Sequence, residues 1–278
     1  MGVRYTALDA RHPRLRYTFC RNGCDIGIVR PWRGRMIRAL RRTGRPTLLA
    51  AVKASDFFAL PASLAPFAAA FPADAAPWDW LKAIAPALAA HKFDQPMLKV
   101  PPGVHVEGFV YLHPTVTLPH TATIIGPVWI GANTEIRPGA FIRGNVIVGE
   151  SCVLGNACEF KNCLLMNRVQ TPHFNYVGDS ILGNGAHFGA GVICSNVRLD
   201  QKNVSVHLPG GVVVDTGLKK FGAIVGDRAE VGCNAVLQPG TLLGPRALVM
   251  PLTAFGGFLP AATSAHSRQQ LSTLPRRD

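Results

Sequence analysis

His173 stands in a stretch, residues 167–180, that also holds Pro172, Tyr176 and Asp179. An imidazole can take and return a proton near neutral pH without a large shift in its pKa. Arg137 and Lys161 precede it in the chain and offer a planar fork and a point charge, the pair of cations that suits a phosphate. A second irregular stretch, residues 196–221, ends in Lys219 and Lys220. Singly, each of these residues has an ordinary alternative: a loop histidine is usually solvated, and an isolated Arg or Lys is a surface charge. Metal chemistry is a weaker reading. Cys20 and Cys24 are not followed by a second pair at zinc-ligand spacing, and His113, His120, His173 and His187 include no closely spaced pair.

What must position these groups is a repeat of six. Every sixth residue from Val100 is apolar: Val100, Val106, Leu112, Leu118, Ile124, Ile130, Ile136, Ile142, Val148, Leu154, Phe160 and Met166. Four residues after each comes a small or β-branched side chain in nearly every case, such as Val104, Ala122, Thr134, Ala140 and Cys152. The phase slips near Pro172, resumes at Leu182, Phe188 and Cys194, and returns again at Val225, Val231, Leu237, Leu243 and Val249. A period of six fits neither an amphipathic helix nor an alternating strand. It fits an all-β solenoid, a parallel β-helix with three flat faces and one hexad per face, whose stacked coils share one interior. The aligned hexads predict six to seven coils. Arg137 and Lys161 then occupy outward corner positions, and the two irregular stretches interrupt the coil.

Composition is consistent with this reading. The 278 residues are 48% apolar and 16% charged, which excludes a disordered chain, and 28 Gly with 22 Pro point to a turn-rich fold. The uncharged stretch 57–73 is cut by Pro61, Pro66 and Pro72, so it does not read as a membrane span. Residues 1–46 hold 12 Arg and two acids, giving +10 of the net +13. They read as a poorly ordered basic extension with no secretory signal, and the odd count of 7 Cys points to a reducing cytoplasm. Residues 47–97, rich in Ala, Leu and Phe, predict a small helical cap or lid, with Ser55 and Asp56 as capping residues and helical spacing over 79–90. The expected order is therefore extension 1–46, cap 47–97, coil 98–258 with an inserted loop 197–218, and tail 259–278.

The segment from Ile136 to Cys233 resembles the acetyltransferase domain of the bifunctional family that makes UDP-N-acetylglucosamine. The matching motifs are IRPG (136–139), GNACEFKN (155–162), HFNYVGD (173–179), GAGVICSN (189–196) and KKFGAIVGD (219–227). It is still more similar to single-function relatives that carry a helical cap. The resemblance implies a left-handed parallel β-helix and a homotrimer with shared active sites. It also implies acetyl-coenzyme A as donor, and an amino sugar phosphate such as glucosamine 1-phosphate as acceptor. By the same resemblance His173 is the general base, helped by Glu159, and the backbone amide of Ala190 faces the thioester oxygen. Arg137 and Lys161 hold the sugar phosphate, Tyr176 touches the sugar, and Lys220 reaches in from a neighbouring subunit. Asn196 and Cys233 lie near the coenzyme arm. No metal is expected.

The chain departs from the family pattern in places. His187 takes the position of an Asn that holds the sugar, so it is counted with the substrate-binding residues, and Cys233 replaces a Ser. The segment between Asn196 and Lys220 is longer, and the uridyltransferase half has no counterpart here. Two other functions use the same coil: a regulatory or assembly domain without catalysis, and a zinc γ-type carbonic anhydrase.

Overall fold

The computed structural model describes residues 6–8, 16–18, 52–93, 99–268 and 272–276. The chain divides into Met1–Leu49 and Ala50–Asp278. In the first unit only the antiparallel pair Thr6–Leu8 with Arg16–Thr18 is described. The expectation of a disordered extension over 1–46, and that for Cys20 and Cys24, otherwise lies outside the described residues.

The second unit is a parallel β-helix of the expected left-handed, hexapeptide-repeat class. Its first face is a ladder that begins Val104–Glu107, Ala122–Ile125 and the opening residues of Ala140–Val148. The ladder continues through Glu159–Leu165, Tyr176–Gly178, Ile193–Cys194, Val236–Leu237 and Ala254–Phe255. The second face runs from Val110–Leu112 to Phe258–Leu259, and the third from Glu135–Ile136 to Ser264–Ala265, with Thr117 bridging to Glu135. Each face therefore has eight rungs, not six to seven, and the coil continues to Ala265, past the expected boundary at 258. Ile124, Ile130, Ile142, Leu154, Phe160, Phe188 and Leu237 are fully buried inside it. Burial of each such side chain contributes about 1.5–3 kcal/mol. Most corners turn through residues at positive φ. At the corner after the third face these include Ala157 (49°), Phe174 (55°), Gly191 (75°) and Asn234 (55°).

The stretch 167–180 is not a break in the coil. Lys161 pairs with Arg143, but Cys163 pairs with Val146, so the register slips by one residue at Asn162. The interior positions Phe160 and Leu165 are consequently five apart, and Val177 and Leu182 repeat the shortening one coil later. Thr171 and Val177 stay buried in phase, and Gln170–His173 and Tyr176–Gly178 are ordinary rungs. Met166, counted above as interior, points the other way. It joins the cluster between coil and cap.

That cap consists of two 3-10 segments, Ala54–Asp56 and Ala62–Ala70, and one α-helix, Pro77–Ala90, opened by Pro77. Asp56, not Ser55, does the capping, by accepting the Lys53 N–H at 2.8 Å. Phe57, Phe67, Trp80, Leu81 and Ile84 bury against Trp129, Ile147, Leu164, Ile181, Ile224 and Leu242 on the outer side of the second face. Trp129 is sandwiched by a stacked Tyr111 at 5.4 Å and an edge-on Phe67 at 5.6 Å. Polar ties finish the docking, including the Ser63 hydroxyl to Asn167 Oδ1 (2.6 Å) and Asn184 Nδ2 to the Ala59 carbonyl (2.8 Å). The cap thus covers the second face. It is not a lid over the corner that carries His173.

The inserted loop leaves the coil at Asn196 and returns at Phe221, whose N–H donates to the Asn196 carbonyl at 2.9 Å. Between them Ser205–Leu208 and Val212–Asp215 form an antiparallel hairpin. Val204, Val206 and Phe221 anchor it in the same apolar cluster as the cap. Among the described residues, no helix is long and apolar enough to cross a membrane.

Candidate active site

Two groups of expected residues form at opposite edges of the first face. The first occupies the corner between the third and first faces. His173 pairs with Asn156 in the preceding coil. Its backbone carbonyl accepts the Gly191 N–H at 3.1 Å, which sets Ala190 on the next rung, and the Ala190 carbonyl accepts the Asn234 N–H at 2.8 Å, which sets Cys233 on the one after. Rungs stack about 4.8 Å apart, so His173, Ala190 and Cys233 make a short outward column. The His173 imidazole is exposed, without a side-chain hydrogen bond among the described residues, and lies 6.2 Å from the Phe174 ring. The N–H of Ala190 has no acceptor among the described residues either. Close packing fixes this corner: a Cβ added to Gly189 would lie 2.7 Å from the Cys233 nitrogen and 2.8 Å from its Sγ.

Arg137 belongs to the same corner, two rungs before His173, with Asn156 between; the Asn156 amide donates to the Pro138 carbonyl at 2.7 Å. The guanidinium fork is turned to Glu135, with Nε 3.0 Å from Oε1 and Nη2 3.3 Å from Oε2. His187 is exposed on the third face, beside Gln170 and Glu230 in the ladder.

The second group gathers at the corner where the first face ends. Asp179 is buried there and accepts from Lys161 Nζ (3.0 Å), Asn162 Nδ2 (2.9 Å) and Asn196 Nδ2. Asn196 also donates to the Tyr176 hydroxyl at 3.1 Å. Burial, foremost, raises the Tyr176 pKa, and the charges of Asp179 and Glu159 add to it against the Asn196 hydrogen bond. Glu159 opens its strand with its carboxylate held by Arg143, Nη2 to Oε1 at 2.6 Å, and makes no bond to His173. Lys220 is exposed where the insertion returns to the coil.

The structure therefore joins His173, Ala190 and Cys233, and separately Lys161, Tyr176 and Asn196. Arg137 and Lys161 are not neighbours, because the width of the first face lies between their corners. Asn196 is with Tyr176 and Asp179, not beside Cys233. Sequence reasoning missed the roles of Asp179, Asn162, Arg143 and Glu135. The available signal was a buried-type position, Gly178–Asp179, one short coil after Lys161. Among the described residues, no three His, Cys, Asp or Glu side chains gather as a metal-binding set.

Residues 124–217 match the GMPPB C-terminal domain. The chain is 36% identical over 114 residues to the bifunctional protein GlmU of Methanococcus vannielii, covering 41% of this chain and 27% of that protein. It is 32% identical over 175 residues to a bifunctional sugar-1-phosphate nucleotidylyltransferase/acetyltransferase of Sulfurisphaera tokodaii, covering 63% of this chain and 43% of that one. The chain thus spans less than half the length of these bifunctional relatives. Against the uncharacterized acetyltransferase YaiX of Escherichia coli O6:K15:H31 it is 33% identical over 166 residues, covering 53% of this chain and 72% of that protein. A three-faced parallel coil with hexad periodicity, matched over most of that acetyltransferase, makes the chain a member of the hexapeptide-repeat acyltransferases.

Proposed function

We propose that the protein transfers an acetyl group from acetyl-coenzyme A to the amine of an amino sugar phosphate such as glucosamine 1-phosphate, with His173 as general base. The observation that carries this reading is the column at the corner between the third and first faces: an exposed imidazole one rung from the Ala190 backbone N–H, which has no acceptor among the described residues. In the reaction His173 takes a proton as the acceptor amine attacks the thioester carbonyl carbon. The Ala190 N–H donates to the oxyanion that forms, in a position set beforehand by the coil. Collapse of the tetrahedral species breaks the C–S bond. The imidazolium returns its proton to the departing coenzyme A thiolate, so base and acid are one group.

Arg137 and Lys161 would meet the sugar phosphate only by sharing or leaving Glu135 and Asp179. Tyr176 and His187 offer hydroxyl and imidazole contacts to the sugar. Cys233 and Asn196 border the path of the coenzyme arm along the first face. Lys220, exposed and outside the monomer's own corner column, acts from a neighbouring subunit of a homotrimer, the assembly expected for a cytoplasmic coil with flat faces. The test is a thiol-release assay of acetyl-coenzyme A against a panel of amino sugars and their phosphates. Release dependent on one amino sugar phosphate supports the reading. A trimer that neither binds the coenzyme nor releases thiol would leave the coil as an assembly domain.

A further inference from the structure

The insertion between Asn196 and Phe221 carries more basic than acidic residues: Arg198, Lys202, Lys219 and Lys220 against Asp200 and Asp215. Its hairpin and the loop before it border a shallow, open cavity of about 340 Å³ lined by Arg198, Lys202, Asn203, Ser205, Asp215 and Lys219. The acids there are already engaged. Asp200, outside the lining, takes the Arg198 fork at 2.7 and 2.8 Å, and that hydrogen-bonded pairing holds its carboxyl far below the usual range. Asp215 accepts the Gly217 N–H at 2.9 Å and the Asn203 amide at 3.4 Å. Lys219 reaches the Gln201 carbonyl at 3.0 Å, a contact that leaves its charge unpaired. The Lys202 ammonium makes no side-chain hydrogen bond among the described residues; its charge acts on Asp200, which accepts the Lys202 backbone N–H at 3.2 Å and whose carboxylate is held by the Arg198 fork. By contrast, both cations that the resemblance assigns to a phosphate are paired with acids of this chain.

The cavity also has a route to the corner column. It shares Arg198 and Ser205 with a larger cleft of about 930 Å³, which opens onto Ser195, Gln238 and Gly256 at the edge of the first face. Ser195 is five residues past Ala190, beyond the corner turn at Gly191 (φ 75°) and the rung Ile193–Cys194 that runs along the first face. A long ligand whose reacting end lies at Ala190 can follow that rung and bring a distant anionic group to the insertion. We infer that the cavity is an anion site that takes a phosphate group of a small-molecule substrate, with Lys202 and Lys219 as its point charges and the Asn203 amide and Ser205 hydroxyl as neutral donors. The choice of ligands rests on the acyltransferase reading; the measurement does not.

The test is titration calorimetry on the full chain, wild type and Lys202→Glu, with three probes: coenzyme A, 3′-dephospho-coenzyme A and glucosamine 1-phosphate. Lys202 is exposed, so the variant keeps its fold. Loss of a charge-assisted contact and its replacement by a repulsive one should weaken the occupying ligand about tenfold or more. If coenzyme A weakens and its preference over the dephospho form disappears, the site holds the donor's 3′-phosphate. If only glucosamine 1-phosphate weakens, it holds the acceptor's phosphate. Unchanged affinities for all three, or no binding of any by wild type, overturn the inference. A chain that binds coenzyme A through Lys202 but releases no thiol keeps the anion site and sinks the transfer reading, so the two failures are separable.

Discussion

The Lys161 ammonium lies 3.0 Å from the carboxylate of Asp179, whose side chain is 5% exposed where the first face ends. Two amides, from Asn162 and Asn196, complete the shell of that carboxylate. Asp179 therefore ties the corner of one coil to the exit point of the insertion. Replacing it with Ala removes the partner of a largely buried cation and four hydrogen bonds together, two of them from that cation. The expected loss is about 3 kcal/mol of folding stability, read as a lowered Tm or denaturation midpoint. An unchanged midpoint would mean the pair does not hold this corner.

Gly155 stands between Arg137 and Pro172 in the corner column. A Cβ there would lie 2.1 Å from the Thr171 carbonyl oxygen and 2.2 Å from the Pro172 carbonyl carbon, both backbone atoms. Gly155→Ala must therefore move a rung of the ladder, and overpacking of this kind costs about 1–3 kcal/mol. Chemical denaturation checks the stability, and the displacement should also lower any His173-dependent turnover.

Cysteine chemistry separates Cys233 from the other described cysteines. Cys152 and Cys194 are buried in the coil, and burial pushes both thiols up to about 12; Cys163 moves further in the same direction. Cys233 is exposed. With maleimide at pH 7.5 and peptide mapping, Cys233 should label in the native protein, while Cys152, Cys163 and Cys194 label only after denaturant. The buried thiols also set a pH dependence. Between their ordinary value near 9 and about 12 the unfolded chain loses protons that the folded chain keeps, so stability is full below pH 9 and falls as pH rises through that window. Rising stability over that range would contradict their burial.

The assembly has its own check. Light scattering on the full chain should give three chains per particle at micromolar concentration. A monomer there would remove the role given to Lys220 and the shared site.

Much of the coil was legible because Ile124, Ile130, Ile136, Ile142, Val148 and Leu154 are apolar for one reason, the shared interior. The reading lost its phase at Leu164 and Met166, which are apolar for another reason, contact with the cap. Those two residues hid the one-residue slip at Asn162, and so the coils through Thr171 and Val177 looked like a loop. The Lys161–Asp179 pair was illegible for the same cause: the shortened coil sets Gly178 opposite Lys161, and Asp179, one position further on at the corner, still turns its carboxylate to the ammonium. His173, Ala190 and Cys233 were each named from the sequence, but their stacking depends on two different coil lengths, and only the ladder registers reveal it.

The role proposed for His173, moving the proton in acyl transfer, is read in the rate at which His173→Ala releases thiol from acetyl-coenzyme A. Loss of a general base should lower turnover about a hundredfold or more. Coenzyme affinity should stay near wild type and Tm should not change, because the imidazole is exposed and fills no interior space. Near-normal turnover with any acceptor that wild type uses would contradict the mechanism.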